Sequence, residues 1–349
     1  MKRIGILTFH YSNHNFGALL QTYASVFLLR KMGYEPTVIH LIPKDVHQTK
    51  TNFLSSFLVG NPFDKFRREF IPLTEIIDNE DALLALNDRF DVFYVGSDQV
   101  WRQEFAKENI LHYFLDFVSA DKLKVSYAAS FGKEIVDYDK LTLQAVNQLI
   151  QRFDAVGVRE ASGVTICKNE FGVDATKVLD PTLLLNELDY SAIFKQYKCK
   201  CKSKFIAYYD LECTFGVSER VKPFLDYYNL AIENIYRDKI NLIFKTITPI
   251  SSVARWLQML RSSQLVITNS YHCVIFSILF RKDFIVLASE FGGNARVFSL
   301  LNDLGLSERF FDKFDGERIN NLEPIDFKYI SDKLDGLRKV SFDYLKILN

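Results

Sequence analysis

The sequence predicts an α/β protein of two Rossmann-like domains facing each other across a cleft. Three observations lead there. The chain has 349 residues, more than one core of about 100–200 residues ordinarily organises. Short apolar strands repeatedly run into polar loops and then into helical periodicity, the pattern of an open parallel sheet. That alternation pauses at a Lys-, Cys- and Tyr-rich stretch, residues 197–204, and then begins again. The domains are therefore expected at residues 1–186 and 187–325, with residues 326–349 forming a closing helix placed to pack across the joint.

Taken in order, residues 4–9 form a short apolar strand, and the polar turn from Tyr11 to Gly17 follows it. Residues 18–32 have helical spacing and stop at Gly33, and residues 36–42 read as the second strand of a βαβ unit. No fold is assigned to residues 43–73, which are rich in Phe, Lys and Asn, and residues 43–90 are expected to help shape the acceptor side. Strands at 92–95, 124–127 and 155–158 each deliver a polar cluster, and a strand at 178–179 closes the series before Asp180-Pro181-Thr182. In the second half, strands are expected at 205–209, 242–246, 265–268 and 284–287. Helices are expected at 219–228, at 251–261 behind a serine cap, and at 273–280. Residues 329–348 carry helical periodicity.

Composition narrows the function. Lysine plus arginine (43) equals aspartate plus glutamate (43), so no net field gathers nucleic acid or anionic lipid. Five scattered cysteines lack the paired spacing of a zinc ribbon or a disulfide framework, and Cys199-Lys200-Cys201 has no second pair, so no metal is expected. The basic start Met1-Lys2-Arg3 is followed by an apolar stretch without a small-residue cleavage site, and no window approaches a membrane span. A cytoplasmic protein is the expectation. The 31 phenylalanines and 17 tyrosines first of all pack the core, and they also suit stacking on sugar rings.

Ligands of open α/β sheets bind outside the carboxyl ends of the strands, and every polar cluster falls there. His272 follows the strand at 265–268, and an imidazole there can move protons near neutral pH or simply cap the next helix. Asn269 and Ser270 precede it. Arg159 leaves a strand at the head of a helix, where its guanidinium could clamp a carboxylate or phosphate, or pair with Glu160. Asn15 and Gly17 precede a helix whose free N–H groups favour an anionic or hydroxyl-rich ligand. Asp98 could accept protons from sugar hydroxyls, with Ser97 and Gln99 beside it and Trp101 offering an apolar ring face; a helix-capping role for Ser97 or Asp98 explains the same residues. No GxGxxG, Walker lysine or GxSxG elbow is present.

Six short pieces carry a resemblance: Asn15-Phe16-Gly17-Ala18-Leu19-Leu20-Gln21, Gly96-Ser97-Asp98-Gln99-Val100-Trp101, Ser126-Tyr127-Ala128-Ala129-Ser130-Phe131-Gly132, Val158-Arg159-Glu160, Leu179-Asp180-Pro181-Thr182 and Thr268-Asn269-Ser270-Tyr271-His272. In this order the sequence resembles the polysaccharide pyruvyl transferase family. The resemblance implies a GT-B-like fold and transfer of a pyruvyl group from phosphoenolpyruvate to a sugar, usually as a cyclic ketal. It implies no cofactor and no metal, and an acceptor that is a sugar of a surface polysaccharide or of its lipid-linked precursor. Peripheral contact with the inner face of the cell membrane goes with that acceptor. His272 would be the general acid/base, and Arg159 would grip the donor with Arg296 as a second anion contact. Asp98, Gln99 and Asn15 would seat the diol, with Ser97, Trp101, Ser130, Gly17, Asn269 and Ser270 lining the site. Ser270-Tyr271 stands where some branches carry Arg-Leu, and Arg281-Lys282-Asp283 where Asn-Lys-Pro is frequent, so the donor pocket departs from the pattern. A nucleotide-sugar glycosyltransferase on the same scaffold and a sugar-binding protein without activity remain the alternatives.

Overall fold

A computed structural model of the chain describes residues 1–44, 61–199, 204–238, 240–241, 246–247, 250–290 and 292–349. They fall into two compact units. One comprises Asp64–Leu185 with the residues before 60 and the terminal segment Asp335–Asn349; the other is built on Asn186–Leu334.

The first unit holds a seven-stranded, wholly parallel sheet of β1 (Arg3–Leu7), β2 (Glu35–Leu41), β3 (Leu73–Ile77), β4 (Val92–Val95), β5 (Leu123–Ala129), β6 (Ala155–Val158) and β7 (Thr176–Lys177). Its spatial order is β3-β2-β1-β4-β5-β6-β7. β4 is buried along its whole length, as expected of a parallel sheet covered on both faces. The helix Phe16–Lys31 is buried without a break from Phe16 to Val26, so it is enclosed rather than amphipathic. Asn15 caps it, its side chain accepting from Ala18 N at 3.2 Å.

The second unit holds β8 (Phe205–Tyr209), β9 (Ala231–Asn234), a small antiparallel pair β10 (Ile240–Asn241) and β11 (Thr246–Ile247), then β12 (Leu265–Thr268), β13 (Asp283–Leu287) and β14 (Phe310–Phe311). Its parallel sheet runs β14-β13-β12-β8-β9. Ile206, Tyr208, Ile267, Ile285 and Phe311 form its core. The expected serine cap is Ser252, which accepts from Arg255 N at 3.1 Å and opens the helix Val253–Ser262.

Several boundaries differ from the sequence expectation: the first strand ends at Leu7 rather than residue 9, and the helix expected from 219 begins at Lys222. The strand expected at 178–179 is Thr176–Lys177. Val178 N still reaches Val158 O at 2.9 Å, but Leu179 N donates to Ser341 Oγ at 2.9 Å, which ends the ladder. The helix expected from residue 273 begins at Tyr271, with Ser270 as the extended N-cap, so His272 lies in the first helical turn rather than in a loop. The strand expected at 242–246 and the stretch at 197–204 fall largely outside the described residues. So does much of 43–73, where a helix Pro62–Phe70 is described.

Candidate functional site

In each sheet the strand order reverses once, between β1 and β4 in the first and between β8 and β12 in the second. Loops leaving two such strands diverge to opposite faces and leave a crevice at their carboxyl ends. The Asp98 and Asn269–His272 clusters leave strands at these reversals, while Ser130, Arg159 and Asp180 follow β5, β6 and β7 beside the first.

In the first unit the exits of β4, β5 and β6 are cross-linked. Ser130 N donates to Asp98 O at 3.0 Å and Arg159 N to Ala129 O at 3.1 Å. The turn after β4 places Gly96 at φ +110° and Asp98 at φ +79°, the left-handed region that costs a residue with a side chain about 1–3 kcal/mol. A Cβ on Gly96 would lie 2.3 Å from Tyr127 O. Gly96→Ala should therefore destabilise the protein by about 3 kcal/mol, the clash adding to the dihedral strain; urea unfolding checks this, and an unchanged midpoint contradicts it.

This turn builds a buried polar cluster. Ser97 Oγ donates to Asp180 Oδ2 at 2.8 Å and accepts from Asp98 N at 2.6 Å. Asp180 also accepts from Thr182 N, Thr182 Oγ1 and Arg159 Nη1. Arg159 lies 3.1 Å from Asp180, 3.5 Å from Asp98 and 4.0 Å from Glu160, with its side chain 1% exposed. Ser130 Oγ donates to Glu160 Oε1 at 2.8 Å. Gln99 N donates to Asp98 Oδ1, and Gln99 Oε1 accepts from Arg102 Nη1.

Several sequence expectations change here. Ser97 and Asp98 cap no helix; they shape the turn. Three carboxylates surround the Arg159 guanidinium within the protein, so the pairing with Glu160 that the sequence also allowed is joined by closer contacts to Asp180 and Asp98. Trp101 offers no ring face: it is fully buried, stacks on Phe114 at 5.0 Å and donates from Nε1 to Tyr113 O at 2.9 Å. Asn15 is a helix cap, and Gly17 is buried within the helix it opens.

In the second unit the register pairs Thr268 with Tyr209, so the next residues also meet. Asn269 Nδ2 donates to Asp210 Oδ1 at 2.7 Å, and its Oδ1 accepts from Leu211 N at 2.8 Å. Asn269 is thus a strap between two strand exits. Ser270 N donates to Thr268 Oγ1 at 3.0 Å, while its side chain makes no capping bond. His272 is buried, its ring edge-on to Tyr271 at 5.3 Å. The Arg296 guanidinium lies 5.8 Å from the Tyr271 ring, so a cation and an imidazole flank one aromatic side chain. Arg296 itself rides in the first turn of the helix Asn294–Leu304, after Gly292 and Gly293, both at positive φ.

The sequence reading missed a pocket of about 380 Å³ at the β8 exit, lined by Asp210, Glu212, Glu219, Glu290, Arg220 and Cys213. Four carboxylates face one guanidinium, which itself donates to Glu212 at 2.9 Å and to Ala288 O at 2.7 Å. Such a lining repels a multiply charged anion. Burial, together with Asp210, raises the Tyr208 hydroxyl pKa, keeping that ring neutral beside the carboxylate. Asp210 was findable: it follows a strand as Asp98 does. Among the described residues no group of three His, Cys, Asp or Glu side chains is arranged to hold a metal ion.

A family model described as polysaccharide pyruvyl transferase matches residues 15–290. The chain belongs to the polysaccharide pyruvyl transferase family. The family match begins after β1, takes in the second strand-order reversal, the Asp98 cluster and His272, and stops short of Arg296. No curated protein matches the sequence. Among solved structures, one from Listeria monocytogenes assigned as a UDP-N-acetylglucosamine 2-epimerase is 13% identical, with 99% of this chain and 94% of that one covered at a TM-score of 0.53. An alpha-glucosyltransferase in complex with UDP and DNA is 11% identical over 99% and 95% of the two chains, at a TM-score of 0.48. The UDP-GlcNAc 2-epimerase of Methanocaldococcus jannaschii is 13% identical over 100% and 99%, at a TM-score of 0.45. At 13% identity the likeness to the Listeria monocytogenes structure is one of fold alone. The family member has the expected GT-B-like α/β class, with a parallel sheet in each unit.

Proposed function

We propose that the protein transfers a pyruvyl group from phosphoenolpyruvate to two hydroxyls of one sugar, forming a cyclic ketal and releasing phosphate. The observation that carries this reading is His272 in a first helical turn, sharing Tyr271 with the Arg296 guanidinium, within a chain of this family. The reaction needs a proton on C3 of the enol phosphate, which leaves a cationic C2 for the first sugar oxygen to attack. The second oxygen then displaces phosphate. One hydroxyl proton replaces the proton given to C3 and the other leaves with the phosphate group, so the acid is regenerated. His272 is the proton donor in this scheme, Arg296 a holder of the anionic donor, and Asp98 the carboxylate that takes a hydroxyl proton. Arg159 acts through Asp98. No metal or cofactor enters any of these steps.

The acceptor in this reading is a sugar of a surface polysaccharide, such as a capsule or exopolysaccharide, or of its lipid-linked precursor. Among the described residues no helix is long and apolar enough to cross a membrane, so a lipid-linked acceptor would be met by peripheral contact at the cytoplasmic face. The test is phosphate release from phosphoenolpyruvate with a panel of sugar acceptors. We expect release that depends on the acceptor and matches the ketal formed mole for mole. No release, combined with thermal protection by a nucleotide diphosphate sugar, overturns the reading in favour of glycosyl transfer.

A further inference from the structure

The pocket at the β8 exit has no part in the proposed transfer, yet one of its carboxylates is bound to the exit of another strand. Glu212 Oε1 accepts from Ser289 Oγ at 2.6 Å and from Glu290 N at 2.9 Å. Its Oε2 accepts from Arg220 Nη2 at 2.9 Å, and Arg220 Nη1 donates to Ala288 O at 2.7 Å. Two side chains that follow β8 therefore hold three consecutive residues just past β13. Ala288 N still bonds Phe311 O at 2.9 Å, so Glu212 takes hold where the chain leaves the sheet. The hold is passed on. Asn294 Oδ1 accepts from Ser289 N at 2.7 Å, and Asn294 Nδ2 donates to Ser289 O at 2.9 Å. Ser289 is thus fixed on its backbone by Asn294 and on its side chain by Glu212. Asn294 is the first residue of the helix Asn294–Leu304, and Arg296 lies two positions further on.

The far end of Arg296 is seated as well. A Cβ on Gly293 would lie 2.7 Å from Arg296 Nη2, so the guanidinium rests against bare backbone, with the Tyr271 ring 5.8 Å from it. A long side chain otherwise samples many rotamers; this one is set at its root by the clasp of Ser289 on Asn294 and at its tip by Gly293. Hydrogen bonds to an ionised carboxylate are the strong kind, and Glu212 directs three of them at this one connection. The carboxylates of the pocket repel an anion, so Glu212 serves an anionic donor through the place it gives Arg296 and not by touch. We infer that Glu212 is a positioning residue for donor binding, aiming Arg296 through Ser289 and Asn294. The inference rests on the reading that Arg296 holds an anionic donor.

The test measures donor binding with no acceptor present. Phosphoenolpyruvate and, separately, UDP-glucose are titrated calorimetrically into the full-length wild-type chain, Glu212→Ala, Arg296→Ala and the double variant. Glu212→Ala should weaken phosphoenolpyruvate binding by about 10-fold, and Arg296→Ala by at least as much. The double variant should bind no more weakly than Arg296→Ala alone, because the carboxylate acts only through that guanidinium. Glu212→Gln keeps an oxygen for Ser289 Oγ and Glu290 N and should return affinity to within about 3-fold of wild type. Ser289→Ala cuts the same path at its next link and should weaken binding by about 3-fold, which carries the test if Glu212→Ala does not fold. A Glu212 that only supports the fold would lower the melting temperature at unchanged affinity, or add its loss to that of Arg296→Ala. Either result overturns the inference, as does a wild-type chain that binds neither donor. The same coupling read with UDP-glucose, in a chain that ignores phosphoenolpyruvate, keeps the inference and removes the proposed pyruvyl transfer. Phosphoenolpyruvate binding that is equal in wild type and Glu212→Ala does the reverse.

Discussion

His272→Ala should lower turnover by about 100- to 10,000-fold, the usual contribution of a positioned general acid. The effect should fall on kcat, because the imidazole is asked to protonate the enol carbon rather than to hold the donor. The helix that carries it should survive: the strand before it is buried along its length and the first turn begins at Tyr271. Steady-state phosphate release with phosphoenolpyruvate and acceptor varied in turn separates kcat from KM, and an unchanged melting temperature shows that the fold is intact. Undiminished kcat removes the histidine from the chemistry.

Arg159→Ala should cost about 3–5 kcal/mol of stability, the penalty for stranding buried charges after their partner is removed. Asp98, Asp180 and Glu160 would face one another with side chains no more than 8% exposed. Arg159→Lys should recover only part of the loss, since an ammonium cannot reproduce the two-pronged contact to Asp98 and Asp180. Chemical denaturation reads the loss directly. An arginine that gripped the donor would behave otherwise, raising KM for phosphoenolpyruvate in a protein of ordinary stability, and that result would restore the direct role.

The difference between these two residues shows what could be read from the chain. Alternation of apolar strands with polar loops placed both parallel sheets, because a strand covered on both faces is mostly apolar, as β4 and the first three residues of β12 are. It placed the polar clusters at strand exits for the same reason. It could not tell which polar groups face a ligand and which face one another. Arg159 and Asp180 are 21 positions apart, and only the fold brings their side chains to 3.1 Å. Trp101 beside Asp98 suggested a sugar platform, yet a turn with two residues at positive φ aims it into the core. Asp210 was within reach of the reasoning applied to Asp98 and was passed over.

The helix Phe327–Leu345 starts in one unit, and from Asp335 onward its residues belong to the other. Ser341 receives the Leu179 amide, and the Tyr344 hydroxyl donates to Ser126 O. During synthesis the seven-stranded sheet therefore waits for its last supports until the whole intervening unit has left the ribosome. A gene fragment cut after residue 185 would encode an unfinished sheet, with the Leu179 amide and the Ser126 carbonyl turned toward water.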